Sequence, residues 1–199
     1  MNQYKNPAQQ VLYSLQTNGT RLDEAWCRFF KKNNFLIGLS VDGTIEMHNA
    51  YRLNHAGKGS FDQAIRGWEL LREHGVDTNI LCAVHPANAD RPLDTYHFFR
   101  DTLKAQFIQF IPIVERLKGI AGQGTNKRQP VNETGSVSLR SVGVEQYGRF
   151  LIEIFDEWVH HDVGRVFVQS FETALASWCH LPSSVCLPSS MREQPGARA

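Results

Sequence analysis

Apolar positions along this chain follow two alternating rhythms. Short apolar runs at residues 11–16, 35–39, 78–84, 107–114 and 166–169 predict strands. Between them, apolar residues fall three or four apart, the spacing of one helix face. Leu22, Trp26, Phe29 and Phe30 share the first such face, ended by Asn33 and Asn34. Phe61, Ala64, Ile65, Trp68 and Leu71 make the second, with Gly75 as its stop. Leu93, Tyr96, Phe99 and Leu103 make the third, and Pro92 is tolerated near its start. Val144, Tyr147, Leu151, Ile154, Phe155 and Trp158 form the fourth, and residues 171–178 form a short last helix. Thr20 with Asp23, and Ser60 with Gln63, have the spacing of capping boxes.

Strand and helix thus alternate through the chain, which predicts a parallel sheet with crossover helices: an α/β fold, open or barrel-like. Residues 1–10 are a polar lead-in and 11–180 hold the pattern. Residues 116–142 break it with Gly, Ser, Thr, Asn, Gln and charges, and read as a long irregular loop. Pro112 places the fourth strand at an edge, a strand end or a bulge. From Pro182 onward the chain is Pro/Ser-rich and then charged, so 181–199 are expected to form a disordered tail.

Composition adds exclusions. With 199 residues, 42% hydrophobic and 21% charged, the chain is an ordinary soluble domain in size and content. A formal net charge of +1 points to neither nucleic acid nor an acidic membrane surface as partner. The first residues lack a secretory signal pattern, and no apolar run approaches the ~20 residues of a membrane helix, so a cytoplasmic location is expected. Cys27, Cys82, Cys179 and Cys186 show no CxxC spacing, and a disulfide is not expected in that compartment.

Candidate chemistry concentrates in residues 35–52. The strand at 35–39 stops at Ser40, Asp42-Gly43 turns the chain, and Glu46, His48, Asn49 and Arg52 follow. Polar side chains beyond the end of a buried strand are where α/β folds keep their ligand sites. Gln16, Thr17 and Asn18 end the first strand. Either they lie beside Ser40 and Asp42 in the site, or they only turn the chain and cap the next helix.

Other motifs are weaker. Gly38-Leu39-Ser40-Val41-Asp42 lacks the second glycine of a nucleophile elbow. Gly57-Lys58-Gly59-Ser60 lacks the first glycine of a phosphate loop and follows no strand. His48 with His55, and His160 with His161, lack the i, i+4 spacing of helical metal ligands, so all four are read as surface histidines.

Taken in order, SLQTNGT (14–20), DEAWCRFF (23–30), FLIGLSVDG (35–43), MHNAYR (47–52), TNILCAV (78–84), FIQFIPIVER (107–116), YGRFLIEIFDEWV (147–159) and VGRVFVQSFETALASW (163–178) resemble the anaerobic sulfatase-maturating enzymes. These belong to the radical S-adenosylmethionine (AdoMet) superfamily. The resemblance implies a partial (β/α) barrel, equivalent to the last four strands of a six-stranded core plus a short extra strand and helix. It implies AdoMet and a [4Fe–4S] cluster as cofactors, and oxidation of a sulfatase Cys or Ser to formylglycine through a 5′-deoxyadenosyl radical. By position in the matching motifs, Ser40 and Arg52 correspond to AdoMet contacts, Val114 lines the adenosyl pocket, and Gln16 lies on the same barrel face.

The same comparison marks departures. The family's C-x3-C-x2-C cluster motif does not occur in this sequence. Cys186 stands where the auxiliary-cluster region of the family begins, yet position 192 is Arg and no cysteine-rich stretch follows it. The catalytic Asp of that region has no counterpart, so no residue here is assigned a catalytic role. The expectation is a family member truncated at both ends and inactive by itself. Alternatives are a binding module for an adenosyl ligand or a protein, or one half of a split enzyme. The first strand would then expose an apolar edge, which favours self-association.

Overall fold

The computed structural model describes residues 12–116 and 137–180. Strands β1 (Tyr13–Thr17), β2 (Phe35–Ser40), β3 (Asp77–Val84), β4 (Phe107–Pro112) and β5 (Phe167–Val168) form one parallel sheet. Their spatial order is their chain order, β1-β2-β3-β4-β5, and the sheet is not closed. Helices α1 (Glu24–Lys32), α2 (Ile45–Tyr51), α3 (Phe61–Glu73), α4 (Pro92–His97), α5 (Val144–His161) and α6 (Gln169–Trp178) fill the connections. A π turn, Phe98–Thr102, extends α4.

One face of the sheet packs under helices. Leu39, Val41, Ile80, Cys82, Val84, Ile108, Phe110 and Val168 meet Trp68, Tyr96, Phe99, Phe150, Ile154 and Trp158 in the main core. A second cluster, Leu22, Cys27, Phe30, Ile37, Leu71 and Val76, seats α1. Because strand side chains alternate, Gly38, Ser40, Asn79, Leu81, Ala83, Gln109 and Ile111 point to the other face. Gln16 pairs in register with Gly38 and joins them.

Several local expectations shift. Asp23 is the N-cap of α1 and accepts the Trp26 N–H, so it does not serve as the third residue of a Thr20 box. Trp26 and Phe29 on that helix are about half exposed, while Cys27 carries the buried contact. Ser60 precedes α3 but its hydroxyl donates to the Arg52 carbonyl rather than capping. Val144 is exposed, and Phe150 takes its expected place in the core. Pro112 is a strand end, the last residue of β4, where a missing N–H breaks no ladder. The proposed tail and Cys186 lie outside the described residues, as does most of the 116–142 loop. Arg116 and Val137, flanking the undescribed part of that loop, form an antiparallel bridge.

Candidate functional site

β2 delivers its chemistry at its C-terminal end. Ser40 is the last strand residue, Val41 turns back into the core, and Asp42 is buried just beyond it. The chain then enters α2, which the apolar pattern did not reveal: seven residues with two buried side chains, Met47 and His48. Arg52 follows that helix and returns to Asp42. Its Nε donates to Oδ2 at 2.5 Å and its Nη2 to Oδ1 at 2.9 Å. The Ala83 N–H of β3 also donates to Oδ1, at 2.9 Å. Burial by itself raises the Asp42 carboxyl, but nearby His85, the Arg52 guanidinium and the Ala83 N–H hold it below the ordinary carboxylate range.

The ring of bonds closes through His48. The Asp42 N–H donates to His48 Nδ1 at 3.4 Å, which assigns the imidazole proton to Nε2. Nε2–H then donates to Ser60 Oγ at 3.1 Å, and the Ser60 hydroxyl donates to the Arg52 carbonyl at 2.9 Å. His48 is 1% exposed, so the expectation of a surface histidine is overturned. Burial pulls its pKa down to about 4, Arg52 and His85 add to the shift, and Asp42 opposes it. His55, His160 and His161 are exposed, as expected. Asn88 fixes the far side: Nδ2 donates to the carbonyls of Asp42 and Ala83, each at 2.9 Å, and Oδ1 accepts the His85 N–H.

The predicted polar cluster is therefore split. Arg52 and His48 belong to the site, Asn49 braces the start of α3 by accepting the Phe61 N–H, and Glu46 faces outward to Arg91. Gln16 lies on the free face of β1 across from Gly38, two residues before Ser40. Thr17 and Asn18 follow the turn reading: the Thr17 hydroxyl accepts the Gly19 N–H, and Asn18 Oδ1 accepts the Thr20 N–H. Val114 is exposed just past β4, beside Ile113, which lines the same cleft as Arg52. The residues missed from sequence are Asp42 as the hub, and His85, Asn88 and Arg140 around it.

A profile of the Radical SAM superfamily matches residues 7–99. The serine-type anaerobic sulfatase-maturating enzyme of Bacteroides thetaiotaomicron is 44% identical over 172 residues, 86% of this chain and 41% of that protein. The cysteine-type enzyme of Clostridium novyi is 37% identical over 148 residues, 74% of this chain and 36% of that one. Native anSMEcpe, solved with bound AdoMet and Cp18Cys peptide, matches with a TM-score of 0.75 and 31% identity, covering 90% of this chain and 46% of that chain. The chain is thus similar to the radical SAM superfamily over residues 7–99, and to the anaerobic sulfatase-maturating enzymes over most of its length. It spans less than half the length of each of these relatives.

Radical SAM enzymes use AdoMet with an iron–sulfur cluster, and thiolates are what hold such a cluster. The three cysteines among the described residues do not fit that role. Burial pushes the Cys82 thiol well above its usual value and raises Cys27, so both are protonated core residues. Cys179 is exposed beyond α6. Among the described residues, no group of three or more His, Cys, Asp or Glu converges on a point. No helix among them is long and apolar enough to cross a membrane.

Proposed function

We propose that residues 12–180 form the AdoMet-binding side of a sulfatase-maturating radical SAM core, without the means of generating the radical within these 199 residues. The observation that carries this reading is the buried Asp42–Arg52 pair beside Ser40 at the end of β2, in a chain whose solved relatives were captured with AdoMet. A fixed guanidinium suits a carboxylate, and a neutral hydroxyl suits a ribose or an amino group. Ser40 and Arg52 are the proposed AdoMet contacts, Val114 lines the adenosyl side, and Gln16 faces it from β1. AdoMet supplies the oxidising radical only when a reduced cluster is present, and this chain has no C-x3-C-x2-C to hold one.

The partner in the full reaction is a sulfatase polypeptide, and the proposed location is the cytoplasm. Among the described residues β1 pairs with β2 on one side only, and Leu12, Tyr13 and Leu15 are exposed, which supports pairing with another strand-bearing surface. Equilibrium dialysis with AdoMet tests the binding claim. Saturable binding is expected, weakened about tenfold by Ser40→Ala, the worth of one hydrogen bond to a charged or strongly polar group. Absence of AdoMet binding in a folded sample would overturn it. Anaerobic reconstitution should leave the chain free of cluster iron, and stoichiometric cluster formation would refute the inactive reading.

A further inference from the structure

Arg52 carries a long side chain that samples many rotamers when nothing holds it. Here it is held at both ends. Its N–H donates to the His48 carbonyl, and its own carbonyl accepts the Ser60 N–H and the Ser60 hydroxyl. At the far end, Asp42 takes the guanidinium. We propose that Asp42 is a positioning residue, which fixes the plane of that guanidinium and so presents its outer edge to a ligand in one orientation. The role rests on the reading above that Arg52 contacts AdoMet.

A guanidinium is planar, with five N–H donors around its rim. Asp42 occupies the edge formed by Nε and Nη2, at 2.5 and 2.9 Å. Planarity then points Nη1 and the second Nη2 proton away from Asp42. The Arg52 side chain is 27% exposed against 2% for Asp42, so the pair has a buried holder and an accessible face. The holder is fixed without help from Arg52. Its Oδ1 accepts the Ala83 N–H of β3, its carbonyl accepts Asn88 Nδ2–H, and its N–H donates to His48 Nδ1. A guanidinium ordered in advance avoids the entropy that a free one loses on binding, so Asp42 strengthens binding without touching the ligand. Its negative charge acts the other way, because it partly cancels the pull of Arg52 on a ligand carboxylate. The two effects have opposite signs, and measurement separates them.

Equilibrium dialysis of the full chain compares AdoMet with its analogue lacking the carboxylate. The variant is Asp42→Asn, which keeps the shape and turns one carboxylate oxygen into an NH2 group that cannot accept from Arg52. It is expected to weaken AdoMet about tenfold, the worth of a hydrogen bond to a charged group, and to leave the analogue unchanged. Equal weakening of both ligands would mean that the variant deforms the site, and would overturn the positioning role. AdoMet binding that is unchanged or tighter in the variant would overturn it too, while leaving the AdoMet reading intact. A folded parent chain that binds no AdoMet would refute that reading, and the role of Asp42 with it. If Asp42→Asn does not fold, the parent chain decides. On addition of AdoMet, its Arg52 Nε–H NMR signal should keep its hydrogen-bonded position while the Nη1 signals shift. Movement of the Nε–H signal to the position of a free guanidinium would overturn the proposal.

Discussion

Asp42 and Arg52 stand at opposite ends of α2 and are joined across it by two hydrogen bonds. Removing either partner strands the other. Asp42 is 2% exposed on its side chain, and a buried carboxylate deprived of its cation is costly. Arg52→Ala is expected to lose ~3 kcal/mol in urea unfolding, towards the low end for a broken buried pair because Arg52 keeps some exposure. Asp42→Ala combined with Arg52→Ala should cost less than the two single losses added together. Strict additivity would show that the pair is not coupled.

The His48 imidazole gives the protein a pH-dependent stability. Its folded pKa of about 4 lies below the ordinary histidine value of 6.5. Between these values the unfolded chain binds a proton that the folded chain refuses, so stability is full above 6.5 and falls as pH drops through 4. The loss attributable to His48 is roughly 3 kcal/mol. Asp42, depressed in the folded state, adds a further loss at lower pH, below its ordinary value of 3.8. Urea midpoints between pH 7 and pH 4 check this, and His48→Gln should flatten the slope in that window.

Two glycines in helices predict opposite outcomes. A Cβ on Gly67 of α3 would sit 2.6 Å from the Gly19 carbonyl oxygen, part of the turn that follows β1. That backbone has no side chain to swing away, so Gly67→Ala is expected to destabilise by ~2 kcal/mol. Gly148 of α5 has nothing within 4 Å of its added Cβ. There Gly148→Ala should stabilise by ~1 kcal/mol through helix propensity. Thermal melts of the two variants, compared with the parent chain, separate packing from propensity.

The β1 edge predicts association. Sedimentation velocity is expected to show concentration-dependent oligomers. Leu15→Lys, a charge on the strand whose outer edge has no partner among the described residues, should shift the population towards monomer. A monodisperse monomer at all concentrations, with a cooperative melt, would contradict the edge-pairing reading.

Strands and long helices were legible because their apolar periods repeat over many residues. α2 was not, since seven residues hold barely two turns and their pattern reads as a polar cluster. His48 looked like a surface residue for the same reason: its burial depends on Ser60 and Asp42, twelve residues after and six before it. Ser40 and Arg52 stood out as polar residues beyond the strand at 35–39, and only the resemblance gave them an expected ligand. Asp42 was legible as a turn residue near the site but not as its hub, because the Ala83 N–H that binds it is supplied by the neighbouring parallel strand. Arg140 lay in a stretch without periodicity, and only the folded chain carries it back to Tyr51.

The strand order also bears on how the sheet is assembled. Among the described residues, strands that follow one another in the chain are neighbours in the sheet, with none inserted between them. Closure of each pairing therefore spans only the connection between two successive strands, from the single helix α1 between β1 and β2 to the long loop and α5 between β4 and β5, and never the whole polypeptide. A sheet of this kind grows by accretion. Units can be appended at the β1 or β5 border without rethreading the interior, and the hydrogen bonds of the Asp42 carboxylate, to Arg52 and Ala83, involve neither border.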